Sequence, residues 1–191
     1  MTNWLVANDD PDIDSVWLWF EFQKSLIGKE RERSLRMLQP TYDIAREYRL
    51  ESQVIGLTSL EVEEFFEAQR KQLDLLIMFE LLAITEAILR IDFKARVGAR
   101  RKDGLSRRFR KLQQESGDKI RLDEDILGAM KEEGVAASIV AAGRGVLKLR
   151  HWLAHGRHWH PKLGRGYSPN DVFDIAKALI RSIPILEPIE S

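Results

Sequence analysis

All four histidines of this 191-residue chain, His151, His155, His158 and His160, fall within ten positions, in the segment KLRHWLAHGRHWH. Imidazole is the side chain best suited to moving protons near neutral pH, and it is also the commonest metal ligand. His151 and His155, spaced i and i+4, share one face of a helix, as paired zinc ligands do. A metal site also calls for an acidic partner, and no Asp or Glu occurs between Gly134 and Asp171. The second chemistry starts from Arg150, five residues before His155. A permanent cation beside a titratable imidazole is what phosphodiester cleavage by an adjacent 2′-hydroxyl needs. The imidazole moves the proton, and the guanidinium neutralises charge growing on the phosphoryl oxygens. Residues i and i+5 lie about 140° apart on an ideal helix, so Arg150 and His155 meet most easily where the helix ends, near Ala154 and Gly156.

The elements that must position these residues read as helices. The span 13–39 alternates Trp17, Phe20, Lys24 and Ile27 with polar positions, and Pro40 ends it. A short helix is predicted over 41–54. Thr58 followed by Glu61 is a capping box that opens the longest periodic segment, 59–97, whose second half is apolar on nearly all sides. That pattern predicts a helix buried all round at the centre of a bundle. Leu105, Phe109 and Leu112 predict a helix closed by Gly117, and 123–132 a short helical piece ended by Gly134. The alanine-rich span 135–155 is helical in period and leads into a loop rich in Gly and Pro. Ser168, Asn170 or Asp171 caps a final helix whose buried face carries Val172, Ile175, Ala176, Leu179, Ile180 and Ile183. No alternating runs, hairpin dipeptides or repeats appear, which predicts an all-α compact helical bundle.

At this point the residues resemble a family. R-x4-H at the end of an apolar helix, with the polar His151 directly after the arginine, resembles the motif of the HEPN domain. The segment FELLAITEAILRIDF is similar to that family's central helix with its embedded acid. The resemblance covers about 59–183, within a single domain divided into an N-terminal helical extension (1–57), a core bundle (58–183) and a tail (184–191). It implies a metal-independent endoribonuclease, often a toxin of a toxin-antitoxin pair or an anti-phage defence effector, acting as a homodimer whose two motif helices face each other across a cleft. Carried over, Arg150 and His155 are catalytic, His151 orients the pair or contacts phosphate, and Glu86 supports Arg150. No cofactor and no metal is implied. The alternative is a non-catalytic HEPN-like module that dimerises and binds a nucleotide or a partner protein such as a nucleotidyltransferase antitoxin.

Between Arg90 and Lys111 ten cations face only Asp92 and Asp103. In a nuclease, Arg100, Arg101, Lys102, Arg107 and Arg108, with Arg157 and His158 of the loop, hold the RNA backbone and make binding sensitive to salt. Each feature also has a plain structural alternative. Arg150 is favourable at a helix C-terminus whatever its function, and His155 can cap that end. Glu86 can be a paired buried carboxylate. Trp152 and Trp159 read as core aromatics in preference to base-stacking platforms. The basic block can be a solvated helical hairpin, neutralised by acids at 61–67 or 123–133.

Thirty Lys and Arg balance thirty Asp and Glu, and 44% of the residues are hydrophobic, the composition of a folded chain. Cysteine is absent, which excludes disulfides, thiolate metal sites and a cysteine nucleophile. The first fourteen residues carry four Asp and no basic run, which predicts neither secretion nor a leader. The apolar stretch 73–91 is interrupted by Asp74, Glu80, Glu86 and Arg90 and predicts no membrane span. The expected location is cytoplasmic.

Overall fold

A computed structural model describes residues 12–39, 54, 56–99, 101–155 and 165–184. The described residues are all-α, with no strand among them. The six α-helices are α1 (Ile13–Met37), α2 (Ser59–Gly98), α3 (Gly104–Ser116), α4 (Leu127–Glu132), α5 (Ala137–Ala154) and α6 (Pro169–Arg181). A 3₁₀ turn, Gly117–Lys119, and a π-helical turn, Leu122–Ile126, connect α3 to α4. No described helix is long and apolar enough to cross a membrane. The predicted helix over 41–54 lies outside the described residues except for Val54, which sits in a turn.

Chain-local chemistry explains where these helices begin and end. Glu61 accepts the Thr58 backbone N–H at 2.7 Å while Thr58 Oγ1 accepts the Glu61 N–H at 3.3 Å, the reciprocal bonds of a capping box. Asp103 caps α3 by accepting the Ser106 N–H at 2.9 Å. Of the three candidates for capping α6, Ser168 takes the role, with Asp171 closing the box and Pro169 in the first turn. The end of α4 is a Schellman turn. Gly134 at φ 101° lets its own N–H reach Lys131 and the Val135 N–H reach the Met130 carbonyl, at 3.2 and 3.0 Å.

The described residues divide into two units, one within Asp14–Ile77 and the other within Met78–Ser191, so α2 contributes to both. In the first, α1 and the start of α2 share a small core of Val54, Val62 and Phe66 with Ile27, Leu35, Leu57 and Phe65 against it. Arg31 pairs with Glu63 at 3.3 Å. Phe20 is buried as its spacing predicts, while Leu18, Phe22 and Leu26 on the same helix are exposed.

The second unit is a helical bundle. Leu89 and Phe93 of α2, Leu105, Phe109 and Leu112 of α3, Ile126, Leu127 and Met130 around α4, Val140 of α5 and Leu179 of α6 form one core. α5 and α6 pack closely because Gly143 carries no Cβ: one placed there would lie 2.9 Å from Leu179 Cδ1.

The structure corrects one expectation about α2. Its buried positions include the row Ile77, Leu81, Thr85, Leu89, Phe93 and Arg96 at helical spacing, with Met78 and Leu82 beside it, whereas Leu76 and Ile91 are each 53% exposed. The helix is therefore not buried all round. An apolar-rich sequence does not say which sides receive a neighbour, and none of the described residues covers the side of Ile91.

Candidate site at the end of helix α5

Helix α5 buries Val140, Gly143, Val146 and Leu149, which turns Lys148, His151 and His155 to the solvent side. The helix stays regular through Ala154, and His155 is its C-cap at φ −95°, ψ 25°, donating its backbone N–H to the His151 carbonyl at 3.1 Å. The His151 and His155 rings lie together, with centroids 4.3 Å apart and planes inclined at 55°. One turn of helix thus presents two exposed imidazoles side by side, as the i, i+4 spacing requires.

Arg150 takes a different direction, towards α2. Its Nε lies 3.0 Å from Glu86 Oε2, and the two side chains are 34% and 19% exposed. The Nε–H is not aimed along that vector, so the contact is an ion pair without a formed hydrogen bond. Glu86 Oε1 accepts a hydrogen bond from Arg90 Nε at 2.8 Å. One carboxylate on α2 therefore stands between two guanidinium groups, one from its own helix and one from α5.

No family model, curated protein or solved structure matches this chain. The site's chemistry is accordingly read from its own residues. Two imidazoles on the solvent face can accept and deliver protons, while the Arg150 guanidinium, turned towards Glu86 of α2, can meet an anion on its own side. Among the described residues no three His, Asp or Glu side chains come together as a ligand set for a metal.

The basic block separates into cations of different standing. Arg96 is 1% exposed and belongs to the core: Asp92 accepts from its Nε at 2.7 and 3.0 Å, Asp103 accepts from Nη1 at 3.3 Å, and the Pro184 carbonyl accepts from Nη2. It is not part of a surface for phosphate. Arg108 Nε lies 2.8 Å from Glu132, the pairing with the acidic 123–133 stretch that the structural alternative called for. Lys111 lies 3.7 Å from Glu115. Lys102 and Arg107 are exposed, and Arg101 is half-buried. Arg100, Arg157, His158, Trp159 and His160 lie outside the described residues, and Trp152 is half-buried.

In sequence Arg90 and Arg96 read as members of one charge run, which hides their separate roles. The signal was present in both cases, since Glu86 precedes Arg90 and Asp92 precedes Arg96 by four residues, the spacing and order that favour a helical ion pair.

Proposed function

We propose that this protein is an endoribonuclease of the HEPN type that cleaves RNA by attack of a ribose 2′-hydroxyl on the adjacent phosphorus. The observation that carries the reading is the placement of Arg150, held 3.0 Å from Glu86 and followed in sequence by two adjacent, exposed imidazoles at a helix end. His155 takes the proton of the attacking 2′-hydroxyl. The new bond from O2′ to phosphorus forms as the bond to the 5′-oxygen breaks, and the departing oxygen takes up a proton. The products are a 2′,3′-cyclic phosphate and a 5′-hydroxyl. Arg150 offsets the charge that accumulates on the non-bridging oxygens. His151, packed on His155, orients its ring or contacts the phosphate.

The same reading makes the protein a toxin or defence effector, working as a homodimer in the cytoplasm and answering to an antitoxin of the nucleotidyltransferase type. Lys102 and Arg107, with Arg100, Arg101, Arg108, Arg157 and His158, supply its RNA backbone contacts. The competing reading is a binding module without turnover, favoured by the way Glu86 and Arg150 join α2 to α5 irrespective of any substrate. Purified protein incubated with mixed RNA in EDTA decides between them. Cleavage leaving cyclic or 3′-phosphate ends, reduced about a hundredfold or more in His155→Ala, is the expected result. RNA binding without cleavage supports the module. Cleavage unchanged in folded Arg150→Ala or His155→Ala overturns the assignment.

A further inference from the structure

We infer that Arg90 is a second phosphate-binding residue of this site, coupled to Arg150 through Glu86; the inference rests on reading Arg150 as a phosphate contact. Glu86 gives one carboxylate oxygen to each arginine, at 2.8 Å to Arg90 Nε and 3.0 Å to Arg150 Nε. Both contacts use Nε, the inner nitrogen of the guanidinium. Each guanidinium carries five N–H donors in a rigid plane, and engagement through Nε leaves the distal donors of both groups to serve an anion. The Arg90 side chain is 44% exposed and that of Arg150 34%, so both reach solvent, whereas Glu86 at 19% is the more enclosed member.

Charge points the same way. One carboxylate between two guanidinium groups leaves the triad one positive charge in excess, and a phosphodiester group carries one negative charge. The carbonyls at the end of α5 carry partial negative charge that disfavours a phosphate there, so a single guanidinium works against the helix and a second strengthens the site. Glu86 acts as a positioning residue: it holds two like charges near each other and limits their rotamers, which prepares the pair for a planar, two-pronged contact.

The test uses a fluorescent RNA oligonucleotide with every ribose 2′-O-methylated, which lacks the attacking hydroxyl and so reports binding alone. Anisotropy titrations at several salt concentrations compare the wild type with Arg90→Ala, Arg90→Lys and Glu86→Gln, and cleavable RNA gives KM and kcat in parallel. Arg90→Ala is expected to weaken binding about fivefold and to lower the slope of log affinity against log salt by about 0.7. Arg90→Lys is expected to restore the slope without the full affinity, because lysine returns the charge but not the fork. On cleavable RNA the Arg90→Ala effect falls on KM.

The outcomes separate this inference from the nuclease reading. Wild-type cleavage with KM, affinity and salt slope unchanged in Arg90→Ala overturns the role of Arg90 and leaves the nuclease standing. Binding that depends on Arg90, with no cleavage of ordinary RNA, supports the phosphate site and sinks the nuclease. No binding of RNA by the wild type at any salt concentration overturns both.

Discussion

Glu86 and Arg150, from helices far apart in sequence, meet with Oε2 3.0 Å from Nε in a partly enclosed ion pair. Its value to stability is modest, because pairs open to solvent contribute only about 0.2 to 1 kcal/mol. Its larger effect is on direction: without Glu86 the long Arg150 side chain samples more rotamers. On the proposed nuclease reading, Glu86→Gln is therefore expected to keep the thermal midpoint within a few degrees while RNA cleavage falls about tenfold through kcat. Steady-state kinetics beside a melting curve checks both, and a midpoint that collapses with activity identifies Glu86 as a structural strut.

Arg96 supports a much larger stability effect. It joins Asp92 of α2, Asp103 at the cap of α3 and the Pro184 carbonyl beyond α6 while 1% exposed. Burial raises the Asp92 carboxyl above its ordinary range, against the hydrogen bonds and charge of Arg96 that pull it down. Arg96→Met removes those bonds and leaves Asp92 without them, with an expected loss of about 3 to 5 kcal/mol in urea unfolding. Adding Asp92→Leu should recover part of it, and a double variant no better than the single excludes the charge argument.

The contact of α5 with α6 depends on the missing side chain at Gly143. A methyl group there approaches Leu179 Cδ1 to 2.9 Å and Leu127 Cδ1 to 3.4 Å, inside the packed core. Gly143→Ala is expected to destabilise by about 1 to 3 kcal/mol through overpacking, outweighing the gain in helix propensity. Pairing it with Leu179→Ala should cost less than the two single changes added together, measured by denaturant unfolding of all four proteins.

The two capping boxes set an acid limit on stability. Side-chain and then backbone hydrogen bonds from Ser168 hold the Asp171 carboxyl below its ordinary 3.8, and the Thr58 backbone followed by its hydroxyl does the same for Glu61 below 4.5. A carboxyl depressed in the folded state stabilises the fold fully above its unfolded value, and the contribution is lost as pH falls through the folded value. Thermal midpoints should thus be insensitive to these groups near neutrality and decline below the ordinary carboxylate range. Asp171→Asn should show a shallower decline than the wild type between about pH 5 and pH 2. Parallel curves for the two proteins would exclude this contribution of Asp171.

Local sequence specifies the helical class, the helix ends and the clustering of the histidines. Those features come from interactions within about one helical turn: Thr58 with Glu61, Asp103 with Ser106, Ser168 with Asp171 and His151 with His155 are neighbours on one chain segment, so spacing alone specifies them. Packing between distant segments sets the rest. Whether Arg150 faces an acid, whether Arg96 lies in a core or on a surface, and which side of α2 is covered all depend on how helices from distant segments pack. Ile91 and Leu89 are equally apolar in sequence, yet only Leu89 finds a partner layer. Arg96 and Arg107 carry the same charge, yet one is enclosed by Asp92, Asp103 and the Pro184 carbonyl while the other is left to water. A charge's role follows from what is packed around it, and that is set by contacts that local spacing does not encode.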